Sequence, residues 1–382
     1  MPVLHALADF VIWLRWYIIP FIVVMNGIVF FHELGHYLVG RWCGVKIEAF
    51  SLGFGPELLA YVDSHGTRWR LALFPLGGYV KFLGDANAAS GQDEAALAAV
   101  QPVDRGRTLA AQSVYKRAAI VAAGPAANFI LAMVLFTGVF LAYGQSIHNA
   151  RVGYVEPGSP AAAAGFAPGD LITAIDGRKI SSFQDLMQAV VLNTGIEMSF
   201  KVDREGKALT LQAAPKLMMV NQGPLGKRRV GHLGLGSTSD PADVNYVRCD
   251  VAQCVAWAGD QVGFITHATL SYIGGLFAGR ESVDQMSGMV GMTQITGAVA
   301  KVGVAELFGL AALFSVSVGL MNLFPIPLLD GGHLLFCLIE AVRGRPVSER
   351  VQQVGMRVGI ALVGSLMVFT TAHDILRLFG RS

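Results

Sequence analysis

An apolar stretch from Ile18 to Gly40 holds His32, Glu33 and His36 in the order H-E-x-x-H, with no other acidic or basic side chain in it. A run of about twenty such residues is what a helix needs to cross the hydrocarbon core of a bilayer. Ionisable groups at that depth are expensive unless they serve a site. On a helix, residues four apart sit one turn above each other on one face, so His32 and His36 can aim both imidazoles at a single zinc ion. Glu33 follows the first of them, where its carboxylate reaches a water held by the metal without itself becoming a ligand. The plain alternative is a pair of histidines packed at an interface, with Glu33 reaching toward the surface. It leaves three costly groups in lipid with no metal or wet cavity to offset them.

Composition agrees with a membrane setting. Of the 382 residues, 53% are hydrophobic and only 15% charged, too apolar for a soluble enzyme of this length. The net charge of +2 gives no broad basic field, so nucleic acid is excluded as a partner. The 45 glycines suit closely packed membrane helices and many turns. Cys43, Cys249, Cys254 and Cys337 are too scattered for a disulfide framework or a cysteine zinc site. Cys249 and Cys254 could pair in an oxidising compartment, but the preferred reading makes them small apolar residues. Met1 to Leu14 lacks a positive n-region and a small-residue cleavage site, so the first helix is expected to act as its own uncleaved address.

Taken in order, the chain divides into an interfacial N-terminal segment (1–16), a first transmembrane helix with the zinc motif (17–41), and membrane-associated β-hairpins with a cytosolic loop (42–114). A second transmembrane helix (115–144), a soluble domain (145–216) and a connector with an amphipathic helix (217–303) follow, then a third helix with an Asp-Gly-Gly motif (304–334) and a fourth helix (350–376). The hairpins are read from short aromatic and aliphatic runs around Asp63-Ser64-His65-Gly66 and Pro75-Leu76-Gly77-Gly78. They are apolar enough to lie against the membrane beside the metal. The second helix opens Gly124-Pro125-Ala-Ala-Asn128, where small residues let helices approach. Asn221 to Asp243 reads as a glycine-rich connector and Val251 to Phe277 as an amphipathic surface helix. Four spans put both termini on one side. Arg41, Lys46, Arg105, Arg107, Lys116 and Arg117, with Arg343, Arg345 and Arg350, assign the hairpins and zinc motif to the cytoplasmic side. The termini and the soluble domain are then extracytoplasmic.

A hydrolytic zinc site wants three protein ligands and an open position. Asp330 is the best candidate for the third, a carboxylate at the end of a hydrophobic helix beside Gly331 and Gly332; the competing reading is a helix-ending Asp-Gly turn. Pro325 and Pro327 break the helix and free carbonyls nearby. Asn322 offers an amide donor to a peptide carbonyl or developing oxyanion, or else an interhelical hydrogen bond. His333 is read as an interface residue.

Several of these stretches occur together in one known family. The H-E-x-x-H of the first span, Gly53 to Gly55, Pro75 to Lys81, the segment G-S-P-A-x-x-A-G-x-x-x-G-D from Gly158 to Asp170, and Asn322 to His333 resemble the site-2 protease family (the M50 intramembrane zinc metalloproteases), in its RseP-like branch. The Gly158–Asp170 segment resembles a PDZ domain, here in a single copy where that branch has tandem copies. The resemblance implies an α-helical integral membrane protein of four transmembrane helices with a membrane-associated β-hairpin region and one extracytoplasmic PDZ domain. It implies residence in a bacterial inner membrane and zinc-dependent cleavage of single-span membrane proteins within the bilayer, already trimmed by another protease, as with anti-sigma factors or signal-peptide remnants. Carried over by residue, it makes His32, His36 and Asp330 ligands, Glu33 the base and Asn322 a substrate-positioning residue. A PDZ fold binds an extended peptide along a sheet edge, and Val152, Gly153 and Tyr154 are the expected edge. One departure is Ser287-Gly288-Met289, where the family reads S-G-P. The competing function is a membrane-anchored PDZ scaffold with a structural metal, which would need a fourth protein ligand that the sequence does not supply.

Overall fold

The computed structural model describes residues 13–85, 100–221, 227–238, 243–279 and 287–378. Most of the interfacial segment expected at 1–16, and the part of the cytosolic loop at 86–99, lie outside them. The chain forms two units, one of residues 1–137, 255–269 and 288–382, the other of residues 138–254 and 270–287.

In the first unit, a π-helical turn (Leu14–Ile18) leads into α1 (Ile19–Trp42). Pro20 stands in its first turn, where a missing N–H is harmless, and Gly44 at φ +86 helps turn the chain away after it. Strands β1 (Ile47–Val62) and β2 (Arg68–Phe82) form one bent antiparallel pair, in which Phe50 partners both Val80 and Trp69. The break expected at Pro75–Gly78 is therefore a bend inside a continuous strand. Gly53, at φ +82, sits so close to the Phe74 carbonyl that no Cβ fits there. Phe50 stacks on Trp69, and both join Tyr37 of α1 in an aromatic cluster that seats the hairpin on the metal-motif helix. Asp63, in the turn, takes hydrogen bonds from the Trp69 ring N–H, the Thr67 and His65 backbone N–H groups and the Tyr37 hydroxyl. Partial burial pushes its pKa up, and these donors more than reverse that, holding it at about 2.

Helix α2 (Val114–Tyr143) begins in the first unit and ends in the second. After the second unit the chain returns through α6 (Met289–Val302), α7 (Val304–Asn322), α8 (Asp330–Arg343) and α9 (Glu349–Leu378). The third span and the Asp-Gly-Gly motif are thus two helices parted by the Leu323–Leu329 turn. Gly331 and Gly332 pack on the carbonyls of that turn with no room for a side chain. Asp374 of α9, 4% exposed, accepts a hydrogen bond from the Gly291 N–H (2.8 Å) and so satisfies a first-turn donor of α6.

Among the described residues, four helices are long and apolar enough to cross a membrane: Leu14–Trp42, Val114–Tyr143, Val304–Asn322 and Arg350–Leu376. In the first and last, only 11% of the most apolar window is buried within the protein, so their apolar faces require an apolar surrounding.

The second unit contains a sheet of order β6-β5-β7-β8, from β5 (Leu171–Ile175), β6 (Arg178–Lys179), β7 (Met198–Arg204) and β8 (Lys207–Ala213). Helix α4 (Phe183–Leu192) buries Leu186 and Val190 in the same core as Phe200 and Ile172. A capping box between Ser182 and Asp185 starts it. The short α3 (Pro160–Ala164) is capped by Ser159 and ended by Gly165 in the left-handed region.

Two sequence expectations change in this unit. The glycine-rich connector holds strands: β9 (Lys216–Asn221) pairs with β10 (Lys227–His232), and β11 (Leu235–Ser237) pairs with β4 (Val152–Val155). Val152, Gly153 and Tyr154, expected to offer an open edge, therefore already have a backbone partner. On the other side of β4, the Val152 N–H donates to the Asp170 carbonyl and the Gly169 N–H to that of Val152. The second correction is that Cys249 and Cys254 form a disulfide, with Cα atoms 5.4 Å apart. It joins the end of β12 (Val244–Val247), which pairs with β3 (Gln145–His148), to the first turn of α5 (Val251–Phe277).

Candidate metal centre and active site

His32 and His36 lie one helical turn apart on the buried face of α1, 8% and 9% exposed. Their Nε2 atoms face each other at 3.2 Å. Asp330, first residue of α8, brings Oδ2 to 3.1 Å from the His32 Nε2 and Oδ1 to 3.5 Å from the His36 Nε2. Ligand atoms around a tetrahedral zinc at metal distances near 2.0–2.1 Å stand roughly 3.3 Å apart. The three separations bracket that value. Asp330 Oδ2 is moreover buried with no aligned hydrogen-bond donor, as an atom reserved for an ion would be. Two imidazoles and one carboxylate form a set suited to zinc, and no other such group of three or more occurs among the described residues.

The loop before α8 explains how a residue so distant in sequence arrives there. Pro325 and Pro327 prevent α7 from continuing, and the tight Leu323–Leu329 turn folds the next helix back, so that α8 presents its N-terminal residue to α1. A carboxylate in a first helical turn is also favoured by the helix dipole.

Glu33 stands beside the ligands, its carboxylate close to the backbone of Val80 in β2. Gly78 packs over its side chain, with any added Cβ only 3.3 Å from Glu33 Cγ. Asn26 tethers the hairpin from the other direction, donating from Nδ2 to the Pro75 carbonyl (2.7 Å). Glu33 and Asn322, the last residue of α7, line a cavity of about 270 Å³ with the three candidate ligands. His333 lines it too, so it faces the site and not only an interface. Farther along the cavity wall, Arg117 of α2 and Glu340 of α8 form an ion pair.

The sequence reading missed the contribution of α2. Gly124 faces the two histidines so closely that a Cβ would collide with His36 Nε2 and lie 2.9 Å from His32 Cε1. Gly35 of α1 returns the closeness, resting on the Ala123 carbonyl. Four residues after Gly124, on the same face, Asn128 is fully buried and its side-chain Nδ2 lies 3.2 Å from His32 Nδ1. One turn before Gly124, the Ile120 carbonyl lies 2.8 Å from His36 Nδ1. The signal was Gly-x-x-x-Asn at helical spacing, which by itself reads as packing.

Comparison with known proteins agrees with this geometry. Residues 20–366 match the model of peptidase family M50. A protein of Agrobacterium fabrum named as a zinc metalloprotease is 43% identical over 95% of this chain and 97% of its own length. One of Rhizobium meliloti with the same kind of name is 44% identical over 95% and 98%. Metalloprotease MmpA of Caulobacter vibrioides is 39% identical over 94% and 95%. Among solved structures, the PDZ domain of an SdrC-like protein of Listeria innocua is similar at 22% identity and TM-score 0.20, over 24% of this chain and 96% of that one. With a family match that runs almost from end to end, the chain belongs to peptidase family M50, as a membrane protein and a metalloprotease whose cofactor is zinc.

Proposed function

We propose that this chain is an intramembrane endopeptidase that cuts the transmembrane segments of single-span membrane proteins, after another protease has removed most of their outer domain. The observation that carries the reading is the position of the site. His32, Glu33 and His36 lie within a helix long and apolar enough to span a bilayer, beside a cavity that also takes in Asn322 and Asp330. A peptide bond hydrolysed there is one that has entered the membrane. The enzyme sits in the bacterial inner membrane, with the zinc site toward the cytoplasm and the termini and second unit outside.

His32, His36 and Asp330 hold the zinc. When bound, it supplies Lewis acidity that polarises a peptide carbonyl and makes a water acidic at neutral pH. Glu33 takes the proton of the attacking water at a carboxylate oxygen and delivers it to the departing amine nitrogen. Asn322 donates its amide hydrogens to the substrate backbone. The second unit, with its PDZ-like segment, screens substrates by bulk, admitting trimmed stubs and obstructing intact ectodomains.

The test is co-expression of the wild type or Glu33→Gln with a panel of tagged single-span proteins, full-length and pre-trimmed. A cytosolic fragment should appear only with the wild type, and more from trimmed substrates. Fragments cut in soluble loops, with none from the spans, would overturn the intramembrane reading.

A further inference from the structure

The two histidines have different partners at their outer nitrogens, and the difference exposes a requirement. A backbone carbonyl only accepts, so the 2.8 Å contact to Ile120 oxygen puts a proton on His36 Nδ1, and in the neutral ring that a metal binds the lone pair is then on Nε2. His32 must reach the same tautomer if its Nε2, which faces His36 and Asp330, is to bind a cation. Its Nδ1 must then donate, and among the described residues the polar group placed against it is the Asn128 side-chain amide.

We propose that Asn128 is a positioning residue of the metal centre: its amide oxygen accepts the Nδ1–H of His32 and so fixes the tautomer that aims Nε2 at zinc. Two observations point this way. The amide is 0% exposed and lies 3.2 Å from Nδ1, in contact with no solvent that could substitute for it. With Nδ2 toward the ring, Oδ1 is buried without any donor, an arrangement that costs free energy, and a half-turn of the amide gives that oxygen the Nδ1–H of His32 as its donor. The half-turn exchanges two nearly isosteric atoms and disturbs no packing. The surrounding contacts hold the residue in place. Ser315 Oγ donates to the Asn128 carbonyl (2.8 Å), and Gly319 of α7 leaves only 3.1 Å between any added Cβ and the Asn128 Cβ. Asn128 thus stands between α7 and the metal helix, with its amide restricted to the line toward His32. An outer hydrogen bond of this kind orients an imidazole and raises its basicity as a ligand.

The inference rests on His32 being a ligand, and the experiment separates the two ideas. Zinc affinity of the purified full-length protein is measured by competition with a chromophoric chelator, for the wild type and for His32→Asn, Asn128→Leu and Asn128→Asp. Loss of zinc in His32→Asn establishes the ligand; retention there overturns the metal site itself, whatever Asn128 does. Asn128→Leu, similar in volume but unable to accept, should bind zinc about 10- to 100-fold more weakly. Asn128→Asp, which can only accept, should recover at least the wild-type affinity. If Asp binds zinc as poorly as Leu, or Leu as well as the wild type, the proposal fails. If Asn128→Leu does not fold, the zinc form of the unaltered protein with 15N-labelled histidine decides. A protonated His32 Nδ1 that shows coupling across its hydrogen bond to the 13C-labelled side-chain carbonyl of Asn128 supports the proposal, and an unprotonated or uncoupled Nδ1 overturns it.

Discussion

Buried and half-buried polar groups in the two units are used in opposite ways. In the second unit they are closed off by near neighbours or by one opposite charge. Ser182 and Asp185 cap each other's helix turn, Ser159 caps α3, and Asp170, 0% exposed, meets Arg204 through two hydrogen bonds of 2.6 and 2.8 Å. In the first unit, His32, His36, Asp330 and Asn128 come from three helices far apart in sequence, and Asp330 Oδ2 remains without a donor. Polar groups that build a fold complete their bonding within it, whereas groups that build a site converge and leave capacity for something that is not protein.

The contrast breaks most visibly at the base. Glu33→Gln should reduce cleavage by about 10²- to 10⁴-fold, the usual range for a lost general base, with zinc content unchanged by metal analysis. A variant that lost its zinc would place Glu33 among the ligands instead. Asp330→Asn should weaken zinc binding by more than the ~100-fold that marks the upper end for an outer-sphere partner, because a neutral amide oxygen is a poor ligand. Full occupancy under mild chelation would make Asp330 a substrate contact. Gly124→Ala comes next. One methyl group displaces His36 Nε2, so zinc affinity should drop by about tenfold or more while the helix gains propensity; overpacking of this kind costs about 1–3 kcal/mol. Equal affinity in a chelator titration would show that α1 and α2 are free to separate.

The smallest effect on the metal should come from the second unit, where a substitution should cost stability and leave zinc untouched. Asp170→Asn should lower thermal stability by about 1.5–3 kcal/mol, since Asp170 is fully buried and Arg204 is left with a weaker partner; zinc content should not change. Burial raises the Asp170 pKa, and the Arg204 guanidinium with the Ala167 N–H more than offsets it, so the folded value lies below the ordinary carboxylate value. Its stabilisation is therefore complete above about pH 4 and declines as the pH falls below that toward the lowered value. A melting curve that stayed flat between pH 5 and 2 for the wild type, or fell equally for Asp170→Asn, would remove the pair from the account.

What could be read in advance follows the same division. The candidate ligands on α1 were legible because one helical period carries both, and Asp330 because glycines and prolines advertise a break in an apolar helix. Asn128 was not. An asparagine in a run of small residues reads as packing until a second helix is laid beside it, and only then does its spacing from Gly124 acquire meaning. The PDZ-like segment was read through its turn and cap residues, yet Gly234 and Gly236 disguised β11 as linker and hid the partner of β4. Local rules find caps and turns; they do not find which strand returns from eighty residues away.

The Cys249–Cys254 bond also makes the protein a reporter of its own orientation. A disulfide persists only where the surroundings are oxidising, and it lies in the second unit, whereas Cys43 and Cys337, in the first, are free thiols. The chain therefore carries two redox states of the same element at places separable by chemistry. Alkylating intact cells before and after reduction, and reading the mass added at Cys43, Cys249 and Cys254, would tell on which side of the membrane each of these cysteines lies, with no tag or fusion to disturb it.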